Sequence, residues 1–264
     1  MTPDLLLRRA LDGDPARPVL TYYDSDGARV ELSVATLGNW VAKTANLLVD
    51  GLGAAPGQRV AIRLPVHWQA AVWHAACWAA GLVTVLGEPV PAPDVAVVPV
   101  PTDLATAPDP VASSAGEVVG LGLGPLGLPR PGPAAPAWVS LDYDREVHGH
   151  GDRFPRPSQV SADAAAPALE ADGAVLTAGA LVEDADARAS TWALPDAARV
   201  LVLRPVTDLP ALAATLLVPL LRGGGAVLCG DADTDRLAAW ARDERVTAVL
   251  GPPVGVLPGL ATVT

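Results

Sequence analysis

The sequence contains little positive charge and almost no lysine. Its 264 residues include 18 Lys and Arg against 29 Asp and Glu, for a formal net charge of −11, and Lys43 is the only lysine. An acidic chain without a basic stripe is a poor partner for the phosphates of nucleic acid or for anionic lipid. We therefore predict that nucleic acid is not a partner.

Cysteine is equally scarce, which excludes a disulfide-stapled fold. The two cysteines, Cys77 and Cys229, lie far apart in apolar runs. They could pair, but two buried thiols in a reducing cytoplasm is the favoured interpretation. The charged N-terminus, with Asp4 and Arg8 among its first residues, has no apolar signal region. These features predict a cytoplasmic protein.

Long apolar runs are also few. Residues 70–87 carry no Asp, Glu, Lys or Arg and are about long enough to span a bilayer. The run breaks at Gly81 into a β-branched segment, so a buried helix followed by a buried strand explains it better. No membrane span is predicted.

What the sequence does contain is a regular alternation of strand and helix patterns. A β-hairpin with the turn 24-DSDG-27 opens the chain, and a helix capped by Ser33 follows. The next helix carries Trp68, Trp73 and Trp78 at a spacing that points all round its axis, which is typical of a buried helix. Residues 178–250 alternate helices with short apolar strands. The pattern predicts an α/β fold of parallel-sheet lobes with flanking helices.

Composition suggests where these lobes divide. We predict an N-terminal α/β lobe over residues 1–155, an irregular linker over 156–170 and a second βαβ lobe over 171–264, with the lobes packed as one unit.

One glycine motif has the spacing of a dinucleotide site. The segment 122-GLGPLG-127 fits G-x-G-x-x-G, but Pro125 intervenes and 128-LPRPGP-133 cannot begin the helix that would meet a pyrophosphate. A glycine-rich turn is favoured over a dinucleotide enzyme.

His148 and His150 are the candidate metal ligands. They form a His-x-His pair with Asp142, Asp144 and Asp152 nearby. Without a further His or a close Cys, a solvated polar loop is favoured, and we predict no metal site.

The run 231-DADTD-235 begins like a calcium loop, but Arg236 and Arg242 stand where that loop needs Gly and Glu. An acidic helix N-terminus explains this run better.

Two stretches, together about half the chain, resemble the N-terminal portion of adenylate-forming enzymes. Residues 31–85 contain a helix ending in Gly, then P-G-x-R-V-A-I, then a helix closing on A-A-G. Residues 176–251 contain an L-L-x-G-G turn and an R-V-T-x-V-x-G strand. This superfamily, also called AMP-binding enzymes, includes acyl-CoA synthetases, luciferases and nonribosomal adenylation domains. The chain resembles in particular a group of proteins from high-GC bacteria with distant similarity to these enzymes.

The resemblance also implies which functional parts differ. The phosphate loop of the family should stand just before residue 176, where this chain has 163-DAAAPALEADGAV-175, with neither a glycine cluster nor a lysine. The acyl-pocket position of the family falls on Thr207 and Asp208, which are therefore the candidate ligand-binding residues. The adenine-binding segment and the C-terminal domain with its catalytic lysine would follow Thr264. Lys43 lies inside the scaffold match and does not replace that lysine.

These departures favour a degenerate relative that works by binding. We predict no catalytic residue and no cofactor, and we expect a second copy or another protein as partner. The departures put ATP or AMP binding in doubt, and the sequence leaves that question open. The alternatives are an AMP-binding or acyl-CoA ligase-type enzyme completed by a partner chain, and an unrelated activity built from the His148–His150 loop.

Overall fold

The computed structural model describes residues 1–88, 91–103, 105–129, 135–154, 162–251, 257 and 260–264. The helices are α1 (Pro3–Gly13), α2 (Val34–Asn46), α3 (Trp68–Ala79), α4 (Pro110–Ser114), α5 (Tyr143–Glu146), α6 (Ala178–Thr191), α7 (Leu209–Leu212), α8 (Val218–Arg222) and α9 (Thr234–Asp243). A π-helical turn over Leu47–Gly51 continues α2, and another over Ala213–Leu217 joins α7 to α8. A 3-10 turn over Val147–Gly149 follows α5.

The strands are β1 (Pro18–Tyr23), β2 (Arg29–Ser33), β3 (Arg59–Ile62), β4 (Val83–Leu86), β5 (Val95–Pro99), β6 (Glu117–Leu121), β7 (Leu141–Asp142), β8 (Pro167–Ala171), β9 (Ala174–Thr177), β10 (Arg199–Val202), β11 (Gly225–Cys229), β12 (Ala248–Leu250) and β13 (Ala261–Val263). They form a first sheet in the order β13-β12-β10-β11-β1-β2 and a second in the order β7-β6-β5-β3-β4-β8-β9. The pairings are parallel except for the hairpins β1–β2 and β8–β9. The predicted α/β class with parallel-dominated sheets is confirmed.

The sheets cross the predicted lobe boundaries. The hairpin β1–β2, which falls in the lobe predicted over residues 1–155, lies in the first sheet beside β11 of the lobe predicted over 171–264. The hairpin β8–β9 extends the second sheet beside β4, and β8 occupies the end of the expected linker 156–170. Residues 156–161 of that linker lie outside the described residues. Local patterns identify each strand but not its neighbour, because the pairing of β1 with β11 joins residues about two hundred positions apart.

A helical layer lies between the two sheets. Alternation along β10 places Val200 and Val202 in a large shared core, while Leu201 faces α9 on the other side of the first sheet. The second sheet behaves in the same way, because residues of β3 and β5 alternate between the shared core and a smaller cluster under α4. Each sheet is thus covered on both faces, as parallel sheets require.

Helix α3 is at the centre of the shared core. All twelve of its residues are buried, which confirms the prediction from its tryptophan spacing. Trp68 donates to the carbonyl of Pro125 and Trp78 to the carbonyl of Ala168, so two indole N–H groups are satisfied by loop and strand backbone. Within the described residues, no helix is both long enough and apolar enough to cross a membrane.

Candidate functional site

The carboxyl ends of strands from both sheets meet at one place. In open α/β sheets ligands bind at this edge of the strands. Gly87 follows β4, and its backbone N–H donates to the carbonyl of Thr207, which follows β10, at 3.2 Å. Asp172, at the end of β8, lies against the same glycine, because a methyl group on Gly87 would come within 3.2 Å of Asp172 Oδ1. We call this place, formed by the residues that follow β3, β4, β8 and β10, the carboxyl-edge cluster.

The turn between β8 and β9 closes one side of the cluster. Ala171 pairs with Ala174, which leaves only Asp172 and Gly173 in the connection. Both have positive φ, +50° and +76°, as a type I′ hairpin turn requires, and Asp-Gly is a sequence suited to it. The segment 163–175, in which the resemblance placed a phosphate loop, therefore contains strand β8, a tight two-residue turn and the start of β9.

The charged groups of the cluster are paired with each other. Arg63, after β3, forms an ion pair with Glu88, and Arg204, after β10, forms one with Asp208. Asp172 adds a third carboxylate, so the cluster contains three acidic side chains and two guanidinium groups. The local charge is therefore unfavourable for a polyanionic ligand.

The two sequence-predicted ligand residues both lie in this cluster. Asp208 caps α7, and its Oδ1 accepts from the N–H of Ala211 at 2.9 Å while its Oδ2 accepts from Arg204. Thr207 contributes its carbonyl to the contact with Gly87. One oxygen of the Asp208 carboxylate thus caps α7, and the other forms the ion pair with Arg204. Their role in binding a ligand stays a prediction.

Sequence reasoning missed His67, which lies beneath the cluster. Its Nδ1 accepts from the N–H of Gln69 at 3.2 Å and so caps α3, and its ring contacts Tyr22 edge-on with centroids 4.6 Å apart. Burial lowers the pKa of His67 to about 3 and raises that of Tyr22 to about 12, so both side chains are neutral at physiological pH. The signal available in the sequence was a polar residue directly before the apolar helix that carries the tryptophans.

The candidate metal ligands His148 and His150 do not converge. His148 Nε2 lies 3.0 Å from the carbonyl of Gly127, and its ring packs on Trp40. The carbonyl of His150 accepts from Lys43 Nζ at 2.7 Å, and Lys43 also pairs with Asp152. Over the ranges that the structure describes, no group of three or more His, Cys, Asp or Glu side chains is arranged to hold a metal ion.

The glycine motif forms a turn that three side chains fix in place. Asp144, whose pKa burial raises, accepts from the N–H of Gly122 through Oδ2 at 2.7 Å. Trp68 holds Pro125, and His148 lies against the carbonyl of Gly127. The N–H of Gly127 donates to the carbonyl of Gly124, and no helix begins between residues 122 and 129. The interpretation of this motif as a turn is confirmed.

The two thiols are also placed as expected. Cys77 and Cys229 are both buried and not bonded to each other. They belong to different apolar clusters, on opposite sides of the first sheet. Burial raises the pKa of both thiols, to about 11 for Cys229, so neither is a reactive thiolate at neutral pH.

Comparison with solved structures shows the fold. The chain superimposes on the crystal structure of an acyl-CoA synthetase from Brucella canis with a TM-score of 0.77 and 16% identity, covering 97% of this chain and 48% of that one. For a putative long-chain-fatty-acid CoA ligase from Rhodopseudomonas palustris the TM-score is 0.72 with 21% identity, and the coverage is 99% and 66%. The chain thus spans about half the length of the Brucella protein and two thirds of the other.

Sequence comparison shows the family. A family model described as AMP-binding enzyme matches residues 7–94. A TIGR03089 family protein from Mycobacterium tuberculosis is 37% identical over 262 residues, which cover 94% of this chain and 99% of that protein. The chain therefore belongs to the TIGR03089 family and has the α/β fold of the N-terminal domains of adenylate-forming enzymes.

Proposed function

We propose that this protein works by binding, to a second copy or to another protein, and that it does not by itself activate a carboxylate with ATP. The observation that carries the proposal is the Asp172–Gly173 turn. A triphosphate cradle needs several convergent backbone N–H groups and usually a lysine. A two-residue turn offers at most two such amides and adds the negative charge of Asp172.

The first experiment tests the ligase side of the proposal. The purified chain is incubated with ATP, Mg²⁺ and a panel of carboxylic acids, and pyrophosphate release is measured. We expect release at the level of the buffer control. Carboxylate-dependent pyrophosphate release by the chain alone would contradict the proposal.

A second experiment measures nucleotide binding. A ligand at about 100 times its dissociation constant stabilises the folded chain by about 2.7 kcal/mol. We expect melting curves that do not change with ATP–Mg²⁺ or AMP. The variant Asp172→Asn removes the charge and keeps the turn, so it shows whether electrostatic repulsion contributes. If nucleotide raises the melting temperature of this variant and not that of the wild-type chain, the carboxylate of Asp172 is what excludes nucleotide.

The binding side of the proposal is supported by two exposed leucines. Leu126 and Leu128 are 61% and 54% exposed. They lie in and directly after the turn that Asp144, Trp68 and His148 fix in place. Apolar side chains presented on a preorganised turn lose little entropy when a partner covers them. This makes the 122–128 turn the best supported contact surface.

Sedimentation over a range of concentrations tests that surface. We expect reversible association of the chain that the double variant Leu126→Ser/Leu128→Ser abolishes. Val175→Ser is the matched control, because Val175 is 59% exposed on the distant edge strand β9. A mass equal to the monomer at every concentration, for the wild-type chain, would contradict self-association.

An alternative function is favoured by the coverage of the solved structures. Because the chain spans about half of the Brucella acyl-CoA synthetase, a partner chain that supplies the rest would complete an AMP-binding ligase-type enzyme. Complexes isolated from the native cells through the tagged chain separate the two proposals. Carboxylate-dependent AMP formation by the complex, absent from the chain alone, would favour the alternative.

A further inference from the structure

A small, partly open cavity of about 10 Å³ lies between the first sheet and the start of α3, beneath the carboxyl-edge cluster. Its walls are mostly apolar and come from the segment between β3 and α3, from β10 and β11, and from the helical stretch 209–222. Three residues bring polar side chains to it, His67, Arg204 and Thr215. The volume matches about one water-sized sphere, which is the least that a bound water needs.

Two polar atoms of these residues are buried without a hydrogen-bond partner in the described part of the chain. They are His67 Nε2 and Thr215 Oγ1, and each residue is only 2% exposed. An unpaired buried polar group costs free energy that folded proteins usually avoid by pairing it with protein or with ordered water.

The hydrogen bond at Nδ1 of His67 determines which ring nitrogen carries the proton. Nδ1 accepts the N–H of Gln69, so in the neutral imidazole the proton is on Nε2. Nε2 is therefore a donor that lacks an acceptor. The hydroxyl of Thr215 can both accept and donate, and it stands in the π-helical turn Ala213–Leu217.

We propose that this cavity binds one ordered water molecule, which accepts a hydrogen bond from His67 Nε2–H and donates one to Thr215 Oγ1. The water links the start of α3, next to the second sheet, to the helix that packs on the first sheet. It thereby satisfies two otherwise unpaired groups directly below the segment that carries Thr207 and Asp208.

The same observations exclude other occupants of the cavity. The volume is too small for an organic ligand. A metal ion needs an unprotonated ring nitrogen, whereas Nδ1 is used by the helix cap and Nε2 carries the proton. A water molecule can accept from the imidazole N–H and exchange a hydrogen bond of either direction with the hydroxyl, so one water pairs both groups at once.

Proton NMR of the uniformly ¹⁵N-labelled full chain tests the proposal. We expect long-range ¹H–¹⁵N correlations of the Nε2–H tautomer for His67 at pH 7, a slowly exchanging Nε2–H resonance, and a dipolar cross-peak from that proton to long-lived water. A His67 with the proton on Nδ1, or the absence of a water cross-peak in the folded wild-type chain, would overturn it.

Two substitutions at Thr215 sharpen the test. Thr215→Ser keeps the hydroxyl and should keep the water cross-peak, whereas Thr215→Val removes the hydroxyl and should lose it.

Thr84→Val is the control, because Thr84 is equally buried but lies on β4 and bonds the carbonyl of Ala168. A cross-peak that persists unchanged in folded Thr215→Val, or one lost in Thr84→Val, contradicts the proposed geometry. The wild-type and Thr215→Ser spectra decide the question if the valine variant does not fold. Nucleotide titrations do not enter this test, so its outcome is independent of the proposed function.

Discussion

Two buried polar regions of this molecule follow opposite rules. On the face of the first sheet that α9 covers, Glu244 is the centre of a charged network in which both of its carboxylate oxygens are paired. Its Oε1 accepts from Tyr23 at 2.8 Å and from Arg29 at 2.7 Å, and its Oε2 accepts from Arg199 at 2.5 Å. Burial alone would raise the pKa of Glu244, but the hydrogen bonds and charges of these partners outweigh it and lower the pKa.

Along α3 several buried polar groups stay neutral and unpaired, although the indoles of Trp68 and Trp78 are paired. Both ring nitrogens of His74 and the indole N–H of Trp73 have no hydrogen-bond partner among the described residues. His74 is fully buried, and desolvation lowers its pKa to about 3. A charge in this position would cost far more than a neutral ring, so the helix tolerates imidazoles only in their uncharged form.

The difference shows what each region contributes to stability. Removing Glu244 leaves the half-buried Arg199 and the buried hydroxyl of Tyr23 without their acceptor, whereas removing a neutral unpaired group relieves a cost. The substitutions that follow separate these two cases, because they remove buried paired groups, exposed paired groups and a buried unpaired group in turn.

Glu244→Ala is expected to give the largest effect. It leaves Arg29 and Arg199 without their shared carboxylate, and we expect a loss of about 3 to 5 kcal/mol in the free energy of unfolding at pH 7, measured with urea. Glu31→Ala is the control, since Glu31 pairs with the same Arg29 but is 36% exposed, and it should cost less than about 1 kcal/mol. Equal losses in the two variants would show that burial does not set the energy of this network.

Acidification is expected to give the second largest effect, through the buried imidazoles in and next to α3. The folded pKa values of His67 and His74 lie near 3, below the value of about 6.5 of an exposed imidazole, so the unfolded chain binds more protons between these values. The contribution of the two neutral imidazoles to stability is therefore fully present above pH 6.5 and is lost as the pH falls below that value. Each imidazole should remove about 1.6 kcal/mol between pH 6.5 and pH 5.

The variant His74→Leu isolates one of these imidazoles. We expect its unfolding free energy to depend less on pH than that of the wild-type chain over the same range, by about the contribution of a single imidazole. Because the side chain it replaces is unpaired, we also expect no loss of stability at pH 7. An unchanged pH dependence would mean that His74 is not buried as a neutral ring.

The sequence predicted those features that local patterns determine. The tryptophans at 68, 73 and 78 indicated burial on all sides of α3. Ser33 was expected as a helix cap and the run 231–235 as an acidic helix N-terminus, as observed. The hairpin strand β1 was predicted from its β-branched and aromatic residues. Its place beside β11 was not, because that pairing depends on tertiary packing far along the chain.

The sequence proposed Thr207 and Asp208 as ligand residues, and that role stays a prediction. Thr207 and Asp208 do lie at the carboxyl edge, next to the segment before residue 176. The capping roles of His67 and Asp208 depend on where single atoms point, which no periodicity reveals. Strand β8 was missed because Pro167 and the surrounding alanines are typical of a linker, and only pairing with β4 makes them a strand.

The ion pair of Arg59 and Glu170 is intermediate between the buried network and the surface. Two contacts, at 2.8 and 3.2 Å, join side chains that are 26% and 22% exposed. We expect Glu170→Ala to cost about 1.5 kcal/mol in urea unfolding. Glu88→Ala, which breaks the pair with Arg63 at 55% exposure, should cost well under about 1 kcal/mol. A reversed order would contradict the dependence on burial.

Asp208 should show a small effect and also bears on the function. Its side chain is 43% exposed and both caps α7 and pairs with Arg204. We expect Asp208→Ala to cost about 1 kcal/mol through loss of the cap, and Asp208→Asn, which keeps a capping oxygen, to cost only a few tenths. If Asp208 binds a ligand in addition, that ligand must stabilise the wild-type chain more than Asp208→Asn, since the two proteins differ little without it. Equal ligand-induced shifts in melting temperature for the two proteins would leave the carboxylate with its structural role alone.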